Sequence, residues 1–385
     1  MFEKALSGSR KYWGWIILLA AVSAVGFVFY LQQLSYGLGI TGMSRDVSWG
    51  LYIANFTFFV GVAASAVMVV LPYYLHNYKQ FGKITALGEF LAVAAVVMCG
   101  LFILVDLGQP ARVFNIILHP SFSSLLVWDM IVLSVYLLLN LVIAWSTLDA
   151  ERKSEAPPAW GKPFILLSIP WAISIHTVTA FIYCGLGARP FWFTALLAPR
   201  FLASAFASGP ALLIIVCLII KRFTKFDPGR EALQKVAQIV TYAMIITMFF
   251  LLVELFTVFY SEIPEHMVHF QYLLFGLDGK VTLVPWMWIS ITLALVSLAL
   301  LINPSTRRRE NILAIACVMV FVSIWIDKGL GLIVPGFIPS PTGEIFEYWP
   351  TVPEALITLG IWALGFLILT VLYKIAISVS EETST

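Results

Sequence analysis

The sequence predicts an all-α integral membrane protein of about ten transmembrane helices, and three observations support this fold class. Hydrophobic residues make up 61% of the 385 residues and charged residues 11%, whereas a soluble domain carries about 25% charged residues. Apolar runs of about 20 residues recur, each long enough to cross a bilayer as a helix. Because a backbone in lipid must satisfy its own hydrogen bonds, these runs are predicted to be helices, and a water-soluble fold is excluded.

The first five helices are placed by the polar breaks between successive apolar runs. The first follows the basic pair Arg10 and Lys11. We expect it to be retained, because it is too long for a signal-peptide core and no small-residue cleavage site follows. The third ends just before Asp106, and the fourth includes Trp128 near its start. The five predicted helices cover residues 13–38, 50–75, 84–105, 124–147 and 164–186.

The second five helices follow the same rule. They cover residues 201–220, 236–260, 284–302, 312–326 and 355–379. Runs of small residues at 62–66 and 203–209, in the second and sixth helices, let helices approach closely, and their spacing predicts two four-helix bundles with one flanking helix at each end. The single transmembrane domain, 1–385, therefore divides into the first helix (1–48), bundle one (49–187), bundle two (188–328) and an outer loop with the last helix (329–385).

The positions of the basic residues predict the orientation. With ten helices, 17 of the 23 Lys and Arg residues fall on one side of the membrane and 6 on the other. Since positively charged loops stay in the cytoplasm, we expect a multi-pass protein of the cytoplasmic membrane with both termini cytoplasmic. The net charge of +2 reflects this topology and indicates no nucleic-acid binding. The outer loops are longer and are expected to form a docking surface.

Ionisable residues within or at the ends of helices are costly in lipid, so each is a candidate functional residue. Four of them surround the outer turn between the third and fourth helices: Asp106, Arg112, His119 and Asp129. One interpretation is a polar pocket where a quinone carbonyl accepts a hydrogen bond and protons enter or leave. The alternative is structural, with Asp129 capping a helix and Arg112 anchored to lipid headgroups.

Two further residues lie deep in predicted helices. His176 is either a core histidine bonded to a neighbour or a group that donates to a quinone oxygen and relays a proton. Glu254 must be neutral or paired, and either state suits a proton path. One deep histidine does not supply the two facing ligands of a transmembrane haem. The four cysteines lie singly without CxxC spacing, so we expect no iron–sulfur cluster or structural metal in this chain.

Several motifs together resemble the NrfD-like family, the quinone-reactive membrane subunits of polysulfide reductase and related iron–sulfur redox complexes. They are the stretch 49–61 (WGLYIANFTFFVG), the run 106–112 with Asn115, the pair His119 and Pro120, and the pair Trp128 and Asp129. The match spans nearly the whole chain. The length and the segment 327–337 (DKGLGLIVPGF) look most like the longer branch, which includes the membrane subunit of sulfite-reductase-associated electron transfer complexes.

The resemblance implies a haem-free protein that binds menaquinone near its outer face. It implies electron exchange with a docked, extracytoplasmic, four-cluster ferredoxin-like subunit, alongside a cytochrome c, a cytochrome b and an iron–sulfur catalytic subunit of the same complex. Such a chain is part of a menaquinone oxidoreductase and is not catalytic alone. The implied context is sulfate or sulfite respiration, with proton translocation left open.

The resemblance also suggests roles for individual residues. Asp106, Arg112 and His176 would line the quinone site, together with His119 and Asp129 of the outer turn. Asn55 and Gly108 match by motif position. The candidates for a proton path from the cytoplasm are Glu89, Glu254, Asp327 and Lys328.

Two other classes of function stay open at this point. A proton-coupled secondary transporter would also use two bundles and buried ionisable groups, but Pro170 and Pro210 do not occupy corresponding places in the two halves. A structural anchor for redox partners would have no need of His176 and Glu254 in lipid. Binding of a menaquinone analogue that depends on Asp106 or His176 would distinguish the quinone-reactive subunit from both.

Overall fold

The computed structural model describes residues 2–63, 65–76, 78–153, 155 and 158–383, and its regular elements over these residues are all helices. Ten helices are long and apolar enough to cross a membrane, which confirms the predicted fold class. They are α1 (Arg10–Tyr36), α2 (Leu51–Leu75), α3 (Gly82–Asp106), α4 (Leu125–Arg152), α5 (Gly161–Cys184), α6 (Leu197–Phe223), α7 (Arg230–Tyr260), α8 (Val284–Ile302), α9 (Glu310–Lys328) and α10 (Val352–Thr383). The small-residue run 62–66 in α2 is described except at Ala64.

Seven of the ten helices begin earlier than the sequence predicts, and α6 and α9 show how charged residues account for the difference. α6 begins at Leu197 rather than at residue 201, so Arg200 belongs to the helix. α9 runs from Glu310 to Lys328 rather than over 312–326. In both cases the predicted helix stops at a charged residue, because that residue interrupts the apolar pattern. In the structure the helix continues through the charged residue, whose side chain has a partner or packs inside the protein. A charge with a partner inside the protein does not have to end a helix.

Eight of the ten helices form two four-helix bundles. In bundle one α2 packs on α3, α3 on α4 and α4 on α5; in bundle two α6 packs on α7 and α9, and α8 packs on α9 and α7. The bundles meet where α2 and α5 pack against α6. α10 packs on α3 of bundle one, and α1 packs on α10. The core of the molecule therefore lies around α2, whose described side chains are almost all buried.

α1 is attached to the rest of the molecule mainly through one helix. A Cβ atom on Gly26 would lie 2.6 Å from the Gly360 Cα atom of α10, so the two backbones touch at this point. Such contact requires glycine on both helices. Further along, Trp15 donates from its indole nitrogen to the Thr370 hydroxyl at 3.2 Å. Most of the α1 surface faces outward, and few of its residues are buried.

The two ends of the bundles differ in their connections. One end carries both chain termini and the short connections after α2, α4, α6 and α8. The other end carries the longer connections 107–124, 185–196, 261–283 and 329–351. We call these ends the termini face and the long-loop face. The short helix Pro264–Leu274 lies in the third of the long connections.

Candidate functional site

Asp106 is the last residue of α3 and reaches the long-loop face of bundle one. Its Oδ1 atom is buried without a hydrogen-bond partner in the described part of the chain. Beside it, Gln33 of α1 donates to the Val105 carbonyl at 2.6 Å and accepts from the Tyr52 hydroxyl at 2.7 Å. Tyr52 is fully buried. These contacts fix the end of α3 while leaving one carboxylate oxygen of Asp106 available.

A second carboxylate, Glu354 at the start of α10, lies within electrostatic range of Asp106. Unlike Asp106, it is fully bonded. It accepts from the backbone N–H of Gly42 at 2.9 Å and of Leu51 at 3.2 Å, and from the Tyr348 hydroxyl. Glu354 therefore joins α10, α2 and two loops. Its negative charge has amide and hydroxyl donors as partners, which suits a structural role.

The remaining predicted residues of the outer turn lie on the surface. Arg112 is in the turn Pro110–Arg112, and its side chain is exposed, as are Gly108 and His119. No hydrogen bond or ion pair joins Arg112 to Asp106 within the described residues. Asp129 is different, because it lies one turn inside α4 and is buried. It does not cap the helix, whose N-cap residue is Ser124, so this part of the structural alternative is wrong.

Asp129 instead bonds across to α5, where polar residues form a stripe. The Thr179 hydroxyl donates to Asp129 at 2.6 Å. His176, Thr179 and Tyr183 follow one another on the buried face of α5, and all three are at most 1% exposed. The Tyr183 and Thr57 hydroxyls are 2.5 Å apart. Tyr183 is also within electrostatic range of both Asp129 and Asp106.

Five of these side chains lie one after another along bundle one, and we call them the polar column; Asp129 and Thr179 are the two members that a hydrogen bond joins within the described residues. Its members run from the long-loop face towards the middle of the bundle: Asp106, Tyr183, Asp129, Thr179 and His176. Seven residues separate Tyr183 from His176, which is about 10 Å along a helix axis. Trp49 and Trp192 pack against Tyr183, with ring centroids at 5.8 and 5.5 Å. The upper part of the column is therefore walled by aromatic rings.

His176 lies at the deep end of the polar column. It is 0% exposed, and neither ring nitrogen has a hydrogen-bond partner among the residues that the structure describes. It lies close to the backbone of Gly61 in α2 and within electrostatic range of Lys328 in α9. An imidazole buried without partners is costly in free energy. His176 therefore offers two nitrogens to a ligand, a water molecule or a proton.

Asn55 has a different environment from the one that its motif position suggests. Its amide nitrogen donates to the Leu51 carbonyl at 2.7 Å. Its amide oxygen accepts from the indole nitrogens of Trp325 and Trp362 at 3.1 and 2.9 Å. Asn55 thus connects α9 and α10 to α2 through hydrogen bonds, which is a structural role.

Bundle two contains a buried ion cluster, formed by Arg200, Glu254, Asp327 and Lys328. Arg200 of α6 bonds Glu254 of α7 at 2.5 Å and Asp327 of α9 at 2.8 Å. Lys328 donates to the Phe201 carbonyl at 3.3 Å and lies 4.2 Å above the centre of the Phe201 ring. The structure therefore brings together three predicted proton-path residues and adds Arg200. No sequence motif singles out Arg200, because the apolar pattern places it in a loop.

Glu89, the fourth predicted proton-path residue, lies near the termini face. It is on α3, 17 positions before Asp106, which corresponds to roughly 25 Å along the helix. It is 0% exposed, and both carboxylate oxygens have no partner in the described chain. Tyr74 and Tyr136 are within electrostatic range. Glu89 is therefore separate from both the ion cluster and the polar column.

One further histidine is buried on the long-loop face, outside the membrane-crossing helices. His269 of the helix Pro264–Leu274 pairs its Nδ1 atom with the Pro335 carbonyl at 2.9 Å, and Nε2 has no partner among the described residues. Burial lowers the pKa of His269 to about 4. The ring is therefore neutral at physiological pH. It fixes the third long connection to the fourth.

An open groove of about 720 Å³ lies elsewhere, between the end of α4 and the following loop. It is lined by Leu141, Trp145, Lys153 and Trp160, among others. It lies at the termini face, whereas Asp106 and the unpartnered ring of His176 belong to the other half of bundle one. We place the candidate site at the polar column, because chemistry needs the buried reactive groups rather than open volume.

The comparisons with known proteins agree with this architecture. A model of the family described as polysulphide reductase, NrfD, matches residues 39–338. A putative membrane subunit of dimethyl sulfoxide reductase from Halobacterium salinarum is 28% identical over 92% of this chain and 89% of its own. An Hdr-like menaquinol oxidoreductase integral membrane subunit from Archaeoglobus fulgidus is 24% identical over 99% of this chain and 97% of its own.

A third similar protein is the integral membrane subunit of a menaquinone reductase from Nitratidesulfovibrio vulgaris. It is 22% identical over 94% of this chain and 91% of its own. These relatives are membrane subunits of reductase or oxidoreductase complexes, and each is similar to this chain over nearly its full length. Since the family model covers most of the chain and both bundles, the chain belongs to the polysulphide reductase, NrfD family.

Proposed function

We propose that this chain is the quinone-reactive membrane subunit of a multi-subunit redox complex. It exchanges electrons between menaquinone and an iron–sulfur subunit docked on the long-loop face, which lies outside the cytoplasm. The observation that carries the proposal is the polar column, whose two ends, Asp106 and His176, keep buried polar atoms without partners in the described chain. Two of the similar proteins are named for menaquinol or menaquinone, which supports the choice of quinone.

The residues present fit a quinone head group. Asp106 offers a carboxylate oxygen and His176 offers two ring nitrogens, and none of these atoms is used by the described chain. Trp49, Trp192 and Tyr183 supply flat apolar surfaces beside them. Bound menaquinone would supply the two-electron, two-proton redox chemistry.

The side chains of the polar column hold and move the protons. His176, when protonated, donates a hydrogen bond, and when neutral it accepts a proton. Asp106, at the long-loop face, can pass a proton to or from water. Asp129 keeps the Thr179 hydroxyl oriented. The hydrogen-bonded hydroxyls of Tyr183 and Thr57 add further proton donors and acceptors between Asp106 and His176.

We further propose that electrons are exchanged with the docked partner and that proton movement involves Glu89 and the ion cluster. The long connections of the long-loop face supply the docking surface, and Arg112 and His119 lie exposed on it. A role in sulfate or sulfite respiration, with a cytochrome c, a cytochrome b and an iron–sulfur catalytic subunit in the same complex, is part of this proposal.

The test is binding of a fluorescent menaquinone analogue to the purified full chain. Asp106→Asn and His176→Asn should each weaken binding several-fold, because each removes a charged or protonatable partner of the head group. Asp278→Asn, an exposed carboxylate on the long-loop face, is the matched control and should bind as the wild type does. Unchanged binding in both site variants would rule out the polar column as the quinone site.

A further inference from the structure

Lys328 is a buried ammonium group that balances the net negative charge of Arg200 with its two carboxylates but contacts neither carboxylate directly. It is 4% exposed, and no ion pair joins it to an acidic residue within the described chain. The neighbouring carboxylates, Asp327 and Glu254, are both bonded to Arg200. An ammonium group has three N–H donors, and the Phe201 carbonyl uses one of them. Lys328 therefore retains hydrogen-bonding capacity in a place where unused capacity is costly.

The spare donors of Lys328 point across the boundary between the two bundles. A Cβ atom on Gly61 of α2 would lie 3.1 Å from the Lys328 Nζ atom and 3.5 Å from the Ser208 Oγ atom. Ser208 Oγ is itself buried without a partner in the described chain. The backbone of Gly61 is also close to His176. Gly61 thus has the Lys328 ammonium and the Ser208 hydroxyl of bundle two beside its Cα atom, while its backbone lies close to His176 of bundle one.

On the other side of Lys328, three small cavities meet at Asp327. One of about 10 Å³ is lined by Arg200, Ser204, Asp327 and Lys328. A second of about 20 Å³ leads towards the middle of bundle two and is lined by Thr247, Ser290 and Ser323. A third of about 20 Å³ leads towards the long-loop face, beside Phe191 and Phe270. One water molecule needs about 10–15 Å³ and two to four polar partners. All three cavities have at least two polar side chains in their linings, Arg200 and Asp327 in the case of the third, so each suits a single water molecule.

We infer that Lys328 is a lateral proton carrier between the bundles, through a passage that Gly61 keeps open. Its ammonium N–H bond breaks, and an N–H bond forms on the neutral imidazole of His176. A water molecule or the Ser208 hydroxyl relays the proton, because no hydrogen bond joins Lys328 to His176 directly within the described residues. The resulting neutral amine then takes a proton from a hydronium ion in the water-sized cavity that it shares with Asp327: an O–H bond breaks and the N–H bond re-forms. The passage connects the polar column with the ion cluster. This inference rests on the proposed function, because it gives the protons at His176 a source.

The first experiment separates proton transfer from charge in the complex reconstituted into liposomes. Electron transfer with a menaquinol analogue and proton movement, followed with an enclosed pH dye, are measured together. Lys328→Arg keeps the positive charge but holds its protons, since arginine does not deprotonate in proteins. We expect Lys328→Arg, Lys328→Met and Gly61→Ala each to lower the protons moved per electron several-fold. Gly100→Ala, whose Cβ would meet no atom within 4 Å, is the matched control and should behave as the wild type does.

Two results of this experiment would overturn the inference. One is an unchanged proton yield in both Lys328→Arg and Gly61→Ala. The other is a wild-type complex that transfers electrons and moves no protons across the membrane. If the wild-type complex exchanges no electrons with menaquinol, the proposed function is contradicted. The second measurement then tests the proton passage independently.

The second measurement does not depend on quinone. The purified full chain is exposed to an X-ray pulse in ¹⁸O water, which labels side chains next to internal water molecules. Met287 and Phe201 line the cavities at Asp327 and are 5% and 1% exposed. They should take up label, whereas the equally buried Met98 and Phe90, which line none of these three cavities, should not. Unlabelled Met287 and Phe201 would mean dry cavities and would contradict the proton path.

Discussion

At the scale of single residues, the buried ionisable groups fall into two sets, those with polar partners and those without. Asp129, Glu354 and Arg200 each have hydrogen-bonding or charged partners on other helices. Asp106 and His176 keep atoms without partners in the described chain. An unsatisfied buried polar group costs roughly 1–3 kcal/mol, so the second set lowers stability. We interpret it as the set that takes part in function.

Asp106→Asn tests the second set through turnover. The amide keeps the size of the side chain but cannot take up or release a proton. We expect menaquinol-dependent electron transfer by the complex to fall by roughly 100-fold, the range of a lost proton-transfer group. Asp278→Asn is the control. A variant with wild-type turnover would exclude Asp106 from the reaction.

His269 gives a prediction about pH and stability. Its pKa in the folded protein is about 4, because of burial, against about 6.5 in an unfolded chain. Below about pH 6.5 the unfolded chain therefore binds a proton that the folded chain does not, and stability falls by up to about 1.4 kcal/mol per pH unit until the pH nears the folded pKa.

His269→Gln should remove this part of the pH dependence. Thermal unfolding of the full chain in detergent, measured from neutral to mildly acidic pH, checks it. The variant should lose less stability on acidification than the wild type, while His119→Gln, at an exposed position, should follow the wild type. Parallel curves for wild type and His269→Gln would show that another group controls acid unfolding.

At the scale of helices, Asn55 is the clearest joint between elements. Its amide oxygen accepts two indole N–H bonds, one from α9 and one from α10. Asn55→Ala would leave the indole nitrogens of two partly buried tryptophans without an acceptor. We expect a loss of roughly 2–4 kcal/mol in the free energy of unfolding.

The matched control for this prediction is Asn140→Ala in α4. Asn140 is equally buried, but its amide nitrogen donates to the Tyr136 carbonyl of its own helix. The loss there should be smaller, because no other helix depends on that bond. Denaturant unfolding followed by tryptophan fluorescence measures both variants. Equal losses would mean that the two indole bonds contribute little.

The sequence predicts the helices well and their pairing less well. Ten apolar runs correspond to ten helices, because crossing a bilayer requires a minimum apolar length. The apolar pattern places Arg200 in a loop, since a lone sequence does not reveal that Glu254 and Asp327 approach it from two other helices. The sequence does not single out Thr57, Thr179 or Tyr183 for the same reason. Ordinary hydroxyl residues become notable only when the fold brings them close to buried ionisable groups.

At the scale of the whole molecule, bundle one contains the polar column and bundle two the ion cluster. Runs of small residues in the sequence predict two bundles, and the structure has them. The sequence does not predict where they join. That junction depends on Gly61, Ser208 and Lys328, which come from three helices far apart in sequence.

The orientation in the membrane is a prediction for the whole molecule. Lys280→Cys lies exposed on the long-loop face and Arg308→Cys lies exposed on the termini face. In spheroplasts, a membrane-impermeant maleimide should label Lys280→Cys at once and Arg308→Cys only after lysis. The wild-type chain is the control, since three of its cysteines are buried and Cys184 is partly buried. The reverse pattern would place the long-loop face and its redox partner in the cytoplasm.

The contact between Gly26 and Gly360 has a consequence for biosynthesis. α1 packs mainly against α10, which is synthesised more than 300 residues later. Until then α1 must remain in the bilayer as an independent segment, and its outward-facing apolar surface allows this. The order of assembly therefore differs from the order of synthesis. A nascent chain that stops before α10 would contain both bundles and leave its own first helix undocked.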